Sequence, residues 1–285
     1  MFWKLQSTEE LYVYSFFVAI IISLAAIAAY AQPSNADAER VYRELQWLPA
    51  GGIGTLDSKA TFKATSAYTF LNPVDTDKFL KLNGNPPQGS SVTVAPTKGD
   101  WFGVLRFAPE GYVKDDESID ADALLKTLKS HNLAGNEEKR KQGYQTLTLE
   151  GWALAPRYDR QNQRLEWGTL LRAEDQSLVV NVSTRILGRS GYTAAVLITT
   201  PTTLDSDLLD FKTALKNFEY IGGEKYSEWR EGDKVAAYGL GALVLGGAAA
   251  VVSSKGGFKV IGLAVAAAAV AAWAGIKKLF ARKRI

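Results

Sequence analysis

The sequence predicts an α+β fold, an antiparallel sheet with flanking helices, followed by C-terminal membrane helices. Three observations predict it. Between 146 and 199, four runs rich in β-branched and aromatic residues are separated by short polar turns, the pattern of an antiparallel meander. Segments of helical period precede and follow these runs, which places helices against the sheet. From 235 to 276 the chain reads VAAYGLGALVLGGAAAVVSSKGGFKVIGLAVAAAAVAAWAGI, with Lys255 and Lys259 as its only charges. A stretch with no polar face has the bilayer as its expected solvent.

These observations divide the 285 residues into a signal peptide or N-terminal anchor (1–31), a soluble α+β domain (32–232) and membrane segments with a basic tail (233–285). The net charge of +3 owes much to Lys277, Lys278, Arg282, Lys283 and Arg284, so the middle of the chain is near balance and no nucleic-acid partner is expected. The absence of cysteine excludes disulfides, thiolate metal sites and a cysteine nucleophile.

Residues 11–31 carry no charge and close on Ala29, Tyr30 and Ala31, the small-x-small form of a signal-peptidase site. The run is longer than a usual signal-peptide core, and Glu9 and Glu10 stand where positive charge is expected, features that fit an uncleaved anchor. Residues 37–48 place Ala38, Val41, Leu45 and Leu48 at helical spacing. Gly51, Gly52 and Gly54 then break the chain, and no lysine-serine or lysine-threonine pair follows to make a phosphate loop of them. Residues 60–70, 91–95 and 101–107 read as strands, and Asp75 as the cap of a brief helix through Leu82.

Asp120 is placed to cap a helix whose Ala121, Leu124, Leu125 and Leu128 share one face. Asp115, Asp116, Glu117, Asp120 and Asp122 cluster before it, as the exposed N–H groups of a helix start favour. Their spacing lacks the glycine and terminal glutamate of a calcium loop. His131, the only histidine, stands at the expected end of this helix, and 136–142 reads as a charged, solvated helical extension in which Glu137 can reach Lys141. Strands follow over 146–155, 164–172, 178–187 and 192–199; symmetric pairing of the first two sets Trp152 opposite Trp167. Leu204, Leu208, Phe211 and Leu215 mark a further helix, with a short strand over 218–221.

Two constellations on the sheet carry candidate chemistry. Trp152, Trp167, Asp159 and Glu166 suggest a groove with aromatic walls and two carboxylates, the kind of surface used in glycoside hydrolysis, although Glu166 and Trp167 are strand neighbours and point to opposite faces. Arg157, Arg160, Arg185 and Arg189 suggest a site for an anionic lipid or polymer, or simply soluble hairpins.

The C-terminal run has two halves. Residues 235–252 are rich in glycine, with Ala242, Gly246 and Ala250 four apart as a candidate helix-packing stripe. Residues 258–278 suffice for one span, with Lys259 and Lys277 snorkelling. If the N-terminal segment exports the domain, one span returns the basic tail to the cytoplasm, as the positive-inside rule prefers. Residues 235–252 then pack against the membrane-proximal surface or lie at the interface. A cytoplasmic domain with a C-terminal hairpin satisfies the same charges.

The blocks GYVKDDE from Gly111, IDADALLK from Ile119, GWALAPRYD from Gly151, LEW at Leu165, NVSTRILGRSGY from Asn181 and GDKVAAYGLGALV from Gly232 resemble, in the same order, those of a family of uncharacterised bacterial membrane-anchored proteins sharing a domain of unknown function. The resemblance implies a signal sequence, an exported domain and a C-terminal membrane segment. It carries no established activity, so no catalytic residue is transferred. The functional expectation is a membrane-anchored envelope protein with a non-catalytic binding or scaffold domain. Its expected site is the bacterial cytoplasmic membrane, with the domain on the periplasmic side. Its expected partners are the lipid bilayer and a second copy or another envelope protein, without a cofactor. The alternative is a carboxylate-dependent envelope hydrolase acting on a glycan or similar polymer.

Overall fold

The computed structural model describes residues 35–83, 87–99, 101–141 and 146–247. The chain divides into two units, 1–40 and 41–285. Of the first, only the start of helix α1 (Asn35–Glu44) is described, where Arg40 reaches Asp37 at 3.4 Å.

The second unit is α+β. Strands β1 (Ile53–Leu56), β2 (Ala60–Lys63) and β3 (Tyr68–Leu71) precede helix α2 (Pro73–Leu82), β4 (Val92–Pro96) and β5 (Phe102–Ala108). Helix α3 (Ala121–Lys141) leads to the meander β6 (Leu147–Asp159), β7 (Arg164–Ala173), β8 (Leu178–Leu187) and β9 (Tyr192–Thr199). Helices α4 (Leu204–Ala214) and α5 (Leu240–Leu245) flank the short β10 (Phe218–Tyr220). Seven strands form one antiparallel sheet in the order β3-β4-β5-β9-β8-β7-β6, and β1-β2-β10 form a second.

The two faces of the large sheet are buried differently. On one, Phe70, Val94, Leu105, Leu197 and Val182 pack with Phe211 of α4 and with Phe62 and Tyr220 of the small sheet. Gly103 is what lets α4 approach, since a Cβ there would stand 2.5 Å from the Phe211 ring. On the other face, Leu45, Phe79 and Leu80 cover Phe102 and Val104 at the β3–β5 end. Leu124, Leu128, Leu240 and Leu243 cover Leu149, Leu165 and Trp167 at the β6–β7 end. Period-two alternation along the strands separates the first core from the other two, which lie at opposite ends of one face.

Four expectations are corrected. Asn72 rather than Asp75 caps α2, accepting from the Asp75 amide at 3.0 Å; Asp75 turns inward to Lys78 Nζ at 2.7 Å. Helix α3 does not stop near His131 but runs to Lys141, because Asn132 and Asn136 continue its buried face. They spend their amides on the outer edge of β6: Asn132 Nδ2 donates to the Leu147 carbonyl at 2.9 Å, and the Leu149 amide donates to Asn132 Oδ1 at 2.9 Å. Trp152 pairs with Thr169 rather than Trp167, because three register shifts in β6 add residues between Leu149 and Arg157.

The fourth correction concerns 235–252. Residues 240–245 form a helix whose Leu240, Leu243 and Val244 are 1%, 0% and 4% exposed within the domain core, so the fold extends past 232. Gly246, at φ +114°, ends that helix in the left-handed region. Ala242 and Gly246 therefore do not continue one helical stripe, and Ala250 lies outside the described residues. No helix among the described residues is long and apolar enough to cross a membrane, and 1–31 and 258–278 lie outside them.

Candidate functional site

A cleft of about 310 Å³ opens where the β8–β9 turn meets the segment 221–235, lined by Arg189, Ser190, Glu224, Asp233 and Lys234. The sequence builds it from glycine punctuation. Gly188 and Gly191 close the turn, the Gly188 amide donating to the Gly191 carbonyl at 2.8 Å. Gly191 also lets this turn lie against β5, since a Cβ there would fall 2.0 Å from the Ala108 carbonyl oxygen. Gly223 and Gly232, both at positive φ, bend the facing segment. Backbone bonds then seat it: Arg189 to Glu224 at 2.9 Å, Tyr112 to Lys234 at 2.8 Å and Ala236 to Tyr112 at 2.8 Å.

The charges in the cleft are turned on each other. Arg189 grips Asp233 through Nε and Nη2, both at 2.7 Å, while Nη1 donates to the Gly223 carbonyl at 3.2 Å. This fork holds the Asp233 carboxyl down at about 2, with help from the Arg230 amide. Glu224 accepts from Lys59 Nζ at 2.6 Å and from the Ser190 hydroxyl. Burial pushes Glu224 up, but Lys59 and Ser190 outweigh it and keep its carboxyl below the ordinary value. A carboxylate so stabilised is a weak base, which makes the Ser190–Glu224 contact a poor nucleophile pair. The arrangement suits holding two loops in register.

An aromatic stack adjoins the cleft on the same segment. The Tyr112 and Tyr226 rings lie 4.4 Å apart and 15° from parallel, and Trp229 tilts against Tyr112 at 5.4 Å. The Tyr226 hydroxyl donates to the Val113 carbonyl at 2.9 Å, and Tyr158 to Asp115 at 3.0 Å. Burial, followed by contact with Tyr112, raises the Tyr226 pKa; burial and Asp115 raise that of Tyr158. Both phenols stay neutral across the physiological range.

The four groove candidates are not brought together. Trp152 donates its indole N–H to the Ala121 carbonyl at 3.1 Å beneath α3. Trp167 is 4% exposed on the same face, under the Arg185 guanidinium at 4.8 Å. Glu166 points to the opposite face and pairs with Lys212 of α4 at 2.7 Å. Asp159 lies exposed in the β6–β7 turn, accepting from Gln161 and Asn162. The four arginines separate likewise: the strand register puts Arg157 and Arg185 on opposite faces, and Arg189 is closed on Asp233. The acidic cluster is divided among partners, with Asp115 on Tyr158, Asp120 on the Ala123 amide and Glu117 on the Gly241 amide. Sequence reasoning found Arg189 but not Asp233 or Glu224, whose signal was the density of glycine and charge in GGEKYSEWREGDK.

Comparison with known proteins adds a family match and a distant likeness. Residues 50–277 match the family described as "Protein of unknown function (DUF2167)". No curated protein matches. Among solved structures the chain is similar to the solution structure of cyanobacterial PsbP (CyanoP) from Synechocystis sp. PCC 6803, at 12% identity and a TM-score of 0.32, covering 62% of this chain and 92% of that one.

Proposed function

For a chain that belongs to the DUF2167 family, we propose the role of a membrane-anchored envelope module whose α+β domain binds or scaffolds rather than catalyses. The domain stands on the outer side of a bacterial cytoplasmic membrane, held by the apolar run that follows it. The observation that carries this reading is the apolar composition of the sequence that follows helix α5. Helix α5 is buried in the domain core, Gly246 and Gly247 follow it at positive φ, and 260–276 is an uncharged apolar run. The family match runs through 277 and so extends over the apolar run. The mutual pairing of the ionisable groups in the cleft supports a surface that holds shape over one that moves protons.

Protease treatment of intact spheroplasts, followed by alkaline extraction of the membranes, tests the reading. The domain is expected to be digested from outside, and the undigested protein to resist extraction. A domain protected in spheroplasts, or a protein released by alkali, overturns it.

A further inference from the structure

We propose that the face formed by Tyr112, Tyr226, Trp229 and Val235 docks into the headgroup layer of the bilayer that anchors the chain; this rests on the anchored reading above. Among the described residues, Ile53, Val74, Leu133 and Leu209 are exposed large apolar side chains on four separate elements. Ile221, Trp229 and Val235, at 41%, 41% and 39%, instead share the single segment 221–235. Trp229 and Val235 both flank Tyr112, one through ring contact and the other through a parallel bridge. Scattered apolar residues need no explanation, but a rimmed aromatic cluster does.

Its position names the occupant. Gly247, the last described residue, is packed so closely that a Cβ would stand 2.9 Å from the Glu110 carboxylate and 3.0 Å from the Tyr192 hydroxyl. Glu110 precedes Tyr112 by two residues, so Gly247 lies near the segment that carries the stack. Residues 248–257 stand in sequence between Gly247 and the apolar run proposed as the span from Phe258. Ten residues span at most about 35 Å even when fully extended. A connection bounded by that length keeps the face within reach of the bilayer, where a weak patch suffices.

The chemistry fits an interface better than a charged surface. Tyrosine and tryptophan partition to the headgroup level through an apolar body and a polar tip. The surrounding exposed charges balance, with Lys114, Arg230 and Lys234 against Asp116, Glu117 and Glu231. Docking is therefore driven by the rings and is insensitive to anionic lipid and to salt. The stack is also rigid, pinned by Tyr226 to Val113 and by the Arg189–Asp233 fork, so little freedom is lost on insertion.

The chain has no cysteine, so a single introduced thiol carries a unique spin label. Full-length Val235→Cys and Leu209→Cys proteins are reconstituted in phosphatidylcholine vesicles, with and without phosphatidylglycerol. Collisions with membrane-soluble oxygen and with an aqueous nickel chelate are then measured. The label at 235 is expected to favour oxygen severalfold over the label at 209 in both lipids, and to lose that preference when Trp229→Ala is added. A label at 235 as open to nickel as that at 209, in protein that still floats with the vesicles, overturns the docking face and leaves the anchor standing. Protein that does not float with the vesicles removes both. A label at 235 shielded from both reagents, and still shielded in detergent, means that a protein covers the face and also overturns the proposal.

Discussion

Replacing Asn132 by leucine removes the polar seam between α3 and the edge strand β6 with little change in volume. The Leu149 amide, which donates to Asn132 Oδ1 at 2.9 Å, is left buried without that acceptor. The Leu147 carbonyl fares better, because Asn136 Nδ2 still donates to it at 2.8 Å. An orphaned buried amide costs about 1–3 kcal/mol, while a carbonyl that keeps one donor costs a fraction of that. The added apolar contact offsets part, so Asn132→Leu is expected to destabilise by about 2 kcal/mol. In Asn136→Leu, the Leu147 carbonyl keeps Asn132 at 2.9 Å, and a loss of about 1 kcal/mol is expected. For a domain of this size, about 2 kcal/mol corresponds to roughly 4–8 °C in Tm. Leu133, 60% exposed on the same helix, is the control, with Leu133→Asn within about 0.5 kcal/mol of wild type.

Thermal unfolding by circular dichroism reads the order of the variants, and amide hydrogen exchange at Leu149 reads its cause. If Asn136→Leu proves the costlier change, or Asn132→Leu leaves Leu149 protection unaltered, the edge-sealing argument is wrong. The same seam has a second consequence. With its outer edge opened, β6 becomes a template for another strand, so Asn132→Leu is also expected to associate at concentrations where wild type does not.

Three further outcomes are expected. Tyr68, buried and donating to Asp210, is pushed up to about 12, so it stabilises fully below its unfolded pKa of about 10 and the contribution is lost as pH rises through 12; denaturant titrations over that window are expected to show a flatter pH dependence for Tyr68→Phe. Asp233, held at about 2 by Arg189, contributes above the ordinary carboxylate range near 3.9 and loses that contribution as pH falls toward 2; segment 221–235 is expected to become cleavable by an acid protease in that interval, and Asp233→Asn to be cleaved there already at neutral pH. Gly103→Ala drives a methyl into the Phe211 ring at 2.5 Å and is expected to cost about 1–3 kcal/mol, a loss that shrinks when Phe211→Leu makes room, as a double-mutant cycle of unfolding free energies measures.

What was legible in the sequence follows from range. The meander strands β7, β8 and β9 were readable nearly to the residue, since alternation and turn chemistry are local signals. The Trp152–Thr169 register was not, because three irregularities in β6 leave only a softened alternation around Gly151 and Pro156. Asn132 and Asn136 held a signal that went unused: polar residues at core positions of a helix mean that the helix faces backbone rather than side chains. The cleft was half legible, since Arg189 sits in a recognisable turn, whereas Asp233 lies 44 positions away and nothing local pairs them.

The apolar run shows the sharpest limit of composition, because a core helix and a membrane helix look alike when both are apolar all round. What separates them here is length between glycines. Helix α5 has six residues, about 9 Å of rise, against the ~30 Å of a bilayer core. With Leu240, Leu243 and Val244 spent in the domain, only 248–252 remain of the first half, too few to cross. On the anchored reading proposed above, a hairpin lacks a first span within 235–247, and a single crossing over 258–278 would put domain and basic tail on opposite sides. On that reading the positive-inside rule would put the tail, with Lys277, Lys278, Arg282, Lys283 and Arg284, in the cytoplasm. A fluorescent protein that matures only in the cytoplasm, fused after Ile285, is therefore expected to glow, and the same reporter inserted in the exposed 160–163 turn is expected to stay dark. Fluorescence from both positions restores the hairpin and refutes the single-span argument.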